Sequence, residues 1–388
     1  MSSCRRVAWV ATHPIQYHAP VFRQLTGLAD LELEVLFLTS FGTRPSHDPQ
    51  FDVVMQWDTP LLDGYAWRVL APEQTDPHRF FGLRAAGIRR ALAGGRFDAV
   101  VIAGWNNVGY VQTAFAAHSL GVRVIYLSDS NLLERERSRA VRAAKRAFFA
   151  ALIRKRDHGL AVGRWSREYL EHIGVRPENI HDYPHCVDTS LTDRAWPDRA
   201  AHRAARRKEL GIGDDVLVVL FSGKLIPKKD PLGLLAAFER SGLDAHLVYV
   251  GSGELERELR RRSAANPRVH LLGFKNQTAL PAIYAAADVA VLPSVFNETW
   301  GLAVNETMAM GCVPIVSDRV GCSEDLVRAT GVGVVYPAGD VEALAQAMRD
   351  VAGDPARLAR WREGARRAVA GHTPARAAEG VREAVWAP

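Results

Sequence analysis

Long apolar runs are missing from this chain. No window of about 18 consecutive apolar residues occurs, so a membrane-spanning helix is not expected. Cysteine is scarce: Cys4, Cys186, Cys312 and Cys322 make no close pair and no metal-ligand spacing, which excludes a disulfide framework and a structural zinc site. Neither charge sign dominates, because 49 Lys and Arg stand against 43 Asp and Glu in 388 residues. That +6 does not by itself point to a nucleic-acid partner. A signal peptide is not expected either. Arg5 and Arg6 precede an apolar run at 7–11 that is too short for a signal core and ends in His13-Pro14. The expected location is cytoplasmic. With 48% hydrophobic and 24% charged residues, disorder and collagen-like repeats are excluded too.

What is present is an alternation of short β-branched runs with longer Ala-, Leu- and Arg-rich stretches. Strands are expected at 7–12, 33–39, 99–103, 122–128 and 158–162, then at 216–222, 246–250, 269–272, 289–293, 313–317 and 332–336. Helical composition fills gaps such as 231–239, 255–264 and 341–351. Near-continuous apolar strands between helices imply parallel sheets covered on both faces. The fold class is therefore α/β with two Rossmann-like, doubly wound domains facing a cleft. One is expected over 1–190, completed by a C-terminal helix at 372–388, and the other over 208–371. The stretch 188–208 holds Pro197 and much Arg without core periodicity, so it reads as the boundary. Ligands of open α/β sheets bind outside the carboxyl ends of the strands, which directs attention to the loops after them.

Several familiar signatures fail. Val218 stands where a Walker A loop needs glycine, and Glu256 replaces the third glycine after Gly251-Ser252-Gly253. Neither Gly-x-Ser-x-Gly, His-Glu-x-x-His nor Asp-x-Asp occurs. What remains follows the strand at 216–222. Gly223 lets the backbone turn, and Lys224, Lys228 and Lys229 place three cations in six positions, either an anion site or a solvated loop. Further on, Glu298 precedes and Glu306 lies within a helix expected from about Trp300 to Gly311. Gly301 at its start permits close ligand approach, and free N–H groups there favour phosphate. Eight helical residues span about 12 Å, enough to bracket a diphosphate with a sugar at either end. Carboxylates suit sugar hydroxyls, although a helix-surface glutamate is more often simply solvated.

These residues together resemble the family 4 glycosyltransferases of the GT-B fold, retaining enzymes with an E-x(7)-E pattern. Glu298 and Glu306 fit that pattern, with Trp300-Gly301-Leu302 and Glu306-Thr307-Met308-Ala309 around them. The loop from Gly223 to Lys229, Val250-Gly251-Ser252-Gly253, Leu272-Gly273-Phe274 and Tyr284-Ala285-Ala286-Ala287-Asp288 follow in the family's order, and the likeness is strong from 216 to 340. The resemblance implies a metal-independent hexosyltransferase that needs no cofactor beyond its nucleoside diphosphate sugar, a UDP-sugar before a GDP-sugar. It implies Lys224 and Lys229 on the diphosphate, Glu298 on the sugar and Glu306 on the ribose. Gly223, Gly251, Thr299, Trp300, Gly301 and Leu302 would surround the donor, with the base near Gly273, Phe274 and Lys275. A departing nucleoside diphosphate gains negative charge, which lysines and a helix N-terminus stabilise. Lys224 stands where the family often has Arg. Ser128 and Asp129 stand where many members carry a histidine, so no histidine role carries over.

The first half resembles GT-B acceptor domains only in outline. His13, Gln16 and Tyr17 follow the first strand, and Trp105 and Asn106 another; these, with Ser128 and Asp129, are the acceptor or cleft candidates. Trp105 would offer a ring face to a sugar, or else pack in the core. Residues 134–156 hold nine basic and two acidic side chains, net +7, while the rest of the chain before residue 191 is net −3. That segment reads as a basic amphipathic helix resting on an anionic membrane at the cytoplasmic face, as a site for an acidic acceptor, or as a helix packed on the first sheet. Packing is slightly favoured, since 148–153 leads straight into a strand. The expected activity is sugar transfer to a small-molecule, glycan or lipid-linked acceptor, in glycan, glycolipid or natural-product biosynthesis, with no nucleic acid involved. A sugar-nucleotide epimerase or phosphorylase on the same fold, or a silent sugar-nucleotide-binding subunit, are the alternatives.

Overall fold

The computed structural model describes residues 4–42, 46–48, 53–55, 57–74, 79–133 and 139–388. They divide into two units. One comprises Met1–Ser46, Pro60–Val187 and Thr373–Pro388, the other His47–Thr59 and Asp188–His372.

The strands of the first half are β1 (Arg5–Ala11), β2 (Leu31–Phe37), β3 (Ser46–Asp48), β4 (Val53–Met55), β5 (Ala66–Val69), β6 (Ala99–Ala103), β7 (Arg123–Ser128), β8 (His158–Ala161) and β9 (Ile180–Asp182). Apart from the short β3–β4 pair they form one parallel sheet in the order β5-β2-β1-β6-β7-β8-β9. Its helices are α1 (Ala19–Thr26), α2 (Ile88–Gly95), α3 (Val108–Leu120), α4 (Arg139–Leu152) and α5 (Arg164–His172). The second unit begins with α6 (Thr189–Ala195) and α7 (Arg199–Leu210) and carries β10 (Leu217–Ser222), β11 (Ala245–Val250), β12 (Val269–Leu271), β13 (Val289–Leu292), β14 (Val313–Ser317) and β15 (Val334–Tyr336). Its sheet order is β12-β11-β10-β13-β14-β15, again parallel. Around it lie α8 (Pro231–Ser241), α9 (Glu256–Ser263), α10 (Leu280–Ala286), α11 (Leu302–Ala309), α12 (Val341–Ala352) and α13 (Pro355–Val369), while α14 (Pro374–Trp386) belongs to the first unit.

Both sheets reverse their winding beside the first strand, between β1 and β6 and between β10 and β13. Such switch points open a crevice at the carboxyl edge. The strands are the short, doubly covered kind: β1 and β10 bury Val7 to Ala11 and Val218 to Phe221 completely. Three helices start alike. Asp230, Asp354 and Thr373 each accept a backbone N–H with the side chain while proline fills the first turn.

The expected strand bounds lie within two residues of the observed ones. Two edge strands, β5 and β9, escape the pattern because their residues are largely exposed or polar. The stretch 188–208 corrects the expectation, since α6 and α7 run through it. Its anchor is not apolar. The fully buried Arg207 guanidinium donates to the carbonyls of Gly213, Asp214 and Val216 at 2.8, 2.9 and 2.8 Å and to Asp288 at 2.7 Å. Asp288 also receives Arg203 and Arg362, both at 2.8 Å, and the Val218 N–H at 2.9 Å. This network pins the amino edge of β10 and β13, so their carboxyl ends emerge in fixed register.

Residues 134–138 of the basic segment lie outside the described residues. Over the rest, Phe149 and Leu152 of α4 are buried in the first core and Ile153 packs against it. Packing thus takes up Phe149, Leu152 and Ile153, whereas Val141 and Phe148 are exposed. Arg154, Lys155 and Arg156 lie just before β8, hence at the amino edge, away from the loops that follow the strands.

Candidate functional site

The loop leaving β10 is held by backbone. Gly223 and Leu225 donate to the carbonyls of Val250 and Ser252 at 2.9 and 2.8 Å. Gly251 permits this approach: its φ is +134°, and a Cβ there would sit 1.9 Å from the Gly223 carbonyl oxygen. Gly251 also donates to the Gly273 carbonyl at 2.9 Å, so three strand-end loops stack through glycine backbones. Thus Gly251 shapes the lysine loop. Pro227–Lys229 then form one tight turn and Asp230 caps α8. Lys224, Lys228 and Lys229 ride on this braced turn beside the β10–β13 switch point.

The neighbouring loop after β13 is tied to it, because Val295 donates to the Lys228 carbonyl at 2.9 Å. It carries Glu298, which is buried. Glu298 Oε2 lies 2.5 Å from Lys229 Nζ and 3.8 Å from Lys228 Nζ, and Ser294 Oγ donates to it at 2.9 Å. Burial pushes this carboxyl up, but the two lysines with the Lys229 and Ser294 hydrogen bonds outweigh it and hold it below the ordinary range. It is an ionised, oriented acceptor. Glu298 precedes the helix: α11 opens at Leu302 on Gly301, whose φ of +101° and lack of Cβ fit it against Leu292 and Val320.

Glu306, on α11, is built differently. Among the described residues no lysine is paired with it; Tyr284 Oη donates to Glu306 Oε2 at 2.7 Å, and the Ser222 hydroxyl meets Tyr284 Oη at 2.9 Å. Its side chain keeps some exposure, yet the atoms around it push the carboxyl up to about 7, against a smaller downward pull from Tyr284. Two carboxylates eight residues apart are thus tuned in opposite directions, one fixed as an anion and one poised near neutrality.

Other sequence candidates fall variously. The Trp300 side chain is turned inward, with its indole N–H on Asn305 Oδ1 at 2.8 Å, so only its backbone faces the loop. Gly273 and Phe274 are partly exposed after β12 and Lys275 is exposed. Thr299 and Leu302 are partly exposed beside Gly301. Ser222, Tyr284 and Ser294 received no role from sequence. Tyr284 opens a motif and Ser222 ends a strand, but nothing in their spacing joins them to Glu306.

In the first unit the β1–β6 switch point carries a polar cluster. The Thr12 N–H donates to Tyr110 Oη at 3.0 Å, and Thr12 Oγ1 meets His13 Nδ1 at 2.9 Å. Tyr17 packs edge-on against His18 and His185, at 4.7 and 5.2 Å. Burial, then Asp129, raises the Tyr17 phenol, and burial pushes Tyr110 up to about 12. His18 is pushed down to about 3 by burial and then by His185 and His13, so it is neutral. Gln16 is partly exposed and Asn106 exposed, whereas Ser128 is buried, its carbonyl accepting from Ser166 at 2.6 Å. Trp105 stacks on Tyr169 at 5.5 Å and meets Phe149 at 5.1 Å, so its partly buried ring packs against the core. Sequence missed Tyr110 and His185, which lie far from the first loop in the chain. Among the described residues no three His, Cys, Asp or Glu side chains gather as a cation site, and no helix is long and apolar enough to cross a membrane.

Comparison with known proteins covers both units. The family described as glycosyl transferases group 1 matches residues 202–368, and the glycosyl transferase 4-like domain matches 19–185. A D-inositol 3-phosphate glycosyltransferase from Geodermatophilus obscurus is 34% identical over 48% of this chain and 43% of its own. A GDP-mannose-dependent alpha-(1-6)-phosphatidylinositol monomannoside mannosyltransferase from Mycolicibacterium smegmatis is 33% identical over 51% of this chain and 53% of its own. The matched stretches thus span about half the length of these curated relatives. Among solved structures, a glycosyltransferase from Rickettsia africae ESF-5 superposes with a TM-score of 0.74 over 99% of this chain and 100% of its own, at 14% identity. HepE from Anabaena, solved with UDP, gives 0.73 over 98% of each chain at 16% identity.

Proposed function

The chain belongs to the family 4, group 1 glycosyltransferases of the GT-B fold, and from that premise we propose that it moves a sugar, with retained anomeric configuration, from a nucleoside diphosphate sugar to an acceptor hydroxyl. The observation that carries this is the Lys229–Glu298–Ser294 constellation at the β10–β13 switch point. Lys229 lies where a diphosphate would need a cation, and Glu298 where an ionised acceptor would take sugar hydroxyls. As the glycosidic bond breaks, charge grows on the leaving phosphate, and Lys224 and Lys229 stabilise it more than the ground state. The acceptor attacks from the face the phosphate leaves, and a phosphate oxygen takes the acceptor proton. Catalysis then needs no metal ion. Glu306 accepts from the ribose, and Gly273, Phe274 and Lys275 serve the base.

A UDP-sugar is the first donor to try, because HepE was solved with UDP and with UDP-glucose. A GDP-sugar is the second, as the mannosyltransferase relative is GDP-mannose-dependent. Those relatives also suggest a phosphorylated or lipid-linked polyol as acceptor. Contact with an anionic membrane would fall to the outer face of α4, where Val141 is 43% and Phe148 36% exposed. Liposome flotation at two salt concentrations tests it, and unbound protein at low salt rules it out. The transfer itself is tested by release of nucleoside diphosphate that depends on acceptor, with the product's anomeric configuration read by NMR. Release without an acceptor, donor isomerisation, or an inverted product contradicts the proposal.

A further inference from the structure

Glu298 is ionised by lysines, but among the described residues Glu306 has no such partner. Among the described residues the one side chain that bears on its carboxyl is Tyr284, from α10. No charged group of α6, α10, α13, β13 or β14, the elements packed against α11, does so. Cys312, which donates to the Tyr284 carbonyl at 3.2 Å, is itself kept neutral by burial, with its thiol pushed up to about 12. The phenol is fully buried and has one proton to give. An ionised carboxylate can only accept, so that proton goes to Glu306 Oε2 at 2.7 Å. The Ser222 hydroxyl, at 2.9 Å, must then donate to the phenol oxygen. With Glu306 ionised the direction of the chain is fixed, and each donor strengthens the next. Ser222 is the last residue of β10, immediately before the lysine loop, so the relay links the ribose carboxylate to the root of the diphosphate loop.

We propose that Tyr284 is a positioning residue for donor binding: its hydroxyl, oriented by Ser222, holds Glu306 as an aimed carboxylate for the ribose hydroxyls. The inference rests on the donor-site reading above and adds a residue that does not itself touch the nucleotide. Losing a hydrogen bond to a charged acceptor corresponds to about a tenfold change in affinity. It also makes the carboxylate harder to form, so the loss is largest where Glu306 titrates.

The test is calorimetric titration of UDP and GDP, and of the 2′- and 3′-deoxy forms of whichever binds, into the full chain and its Tyr284→Phe, Ser222→Ala and Glu306→Gln variants between pH 6 and 9. For wild type, affinity rises through about pH 7. Tyr284→Phe should bind about tenfold more weakly at pH 7, have its midpoint moved upward, and come within about threefold of wild type at pH 9. It should also lose much of the discrimination against the deoxyribose that wild type rejects. Ser222→Ala should move in the same direction by less, and it answers the question if Tyr284→Phe fails to fold. Glu306→Gln should flatten the pH dependence. Wild-type affinity in Tyr284→Phe overturns the inference, as does weakening that is equal at every pH with discrimination intact. If neither UDP nor GDP binds wild type, the donor-site reading falls first and this inference with it.

Discussion

Lys229 and Glu298 hold one another 2.5 Å apart in the site proposed to take both phosphate and hydroxyl groups. Removing the lysine therefore does two things: it deletes the cation proposed to meet the leaving phosphate, and it leaves a buried carboxylate to the more distant Lys228 and the Ser294 hydroxyl. Lys229→Ala should lower turnover about 10²- to 10³-fold, the scale of losing one oriented donor at a developing charge. Steady-state kinetics at saturating donor checks this, and unchanged turnover sinks the assignment. Glu306 makes the opposite kind of prediction. Its folded pKa is raised to about 7, so its contribution to stability is fully present below the unfolded value near 4.5 and is lost as pH rises to about 7. Above that the folded protein bears the cost of a crowded carboxylate. Glu306→Gln should consequently melt a few degrees higher than wild type at pH 8, about 2 kcal/mol after allowing for partial solvent screening. The two should coincide near pH 4.5. Calorimetric melting at both pH values decides it. Glu298 and Lys229 could be named from sequence separately, but their pairing could not, because it depends on two loops 69 residues apart in the chain. Tyr284 was hidden for the same reason.

Loops made adjacent by sheet order are the level at which this site is assembled. The lysine turn, the Gly251 loop and the Gly273 loop interlock through main-chain hydrogen bonds. Gly251→Ala puts a methyl group against a carbonyl oxygen at a φ of +134°, so both loops must shift. A loss of about 2–3 kcal/mol in stability is expected, with weaker nucleotide binding even if the fold survives. Chemical denaturation with and without UDP checks it, and a variant as stable as wild type contradicts the loop account. Elements with an apolar signal were legible: each strand buried on both faces announces itself as a β-branched run. α7 was not, because the residue that anchors it is Arg207 and its partners are carbonyls and Asp288. A periodicity argument scores a buried arginine as solvent-facing. For Trp105 the sequence leaves a sugar platform and core packing both open, and its ring contacts with Tyr169 and Phe149 show the packing.

At the scale of the molecule, chain order and unit membership part company at the end. α14 lies in the first unit, where Arg382 meets Asp30 at 2.8 Å and Arg123 donates to the carbonyls of Ala384 and Val385 at 3.1 and 3.3 Å. Gly380 brings its backbone onto the Asp182 carbonyl, where a Cβ would stand at 1.8 Å. Ending the chain at residue 372 should then expose the first unit to limited proteolysis while the second resists, which mass spectrometry of the fragments would show. Equal resistance of both units contradicts the role given to α14. The opening charge excess also acquires a place: the net +7 of 134–156 is split, and its last three cations lie at the amino edge of the first sheet. The central claim is that the second unit binds a nucleoside diphosphate sugar through Lys229, and thermal stabilisation by a panel of UDP- and GDP-sugars tests it most directly. A ligand at 100 times its Kd adds about 2.7 kcal/mol to the folded state. At least one donor should raise the melting temperature of wild type by several degrees and leave Lys229→Ala nearly unmoved. A wild-type protein indifferent to every donor, or a variant that responds as fully as wild type, contradicts it.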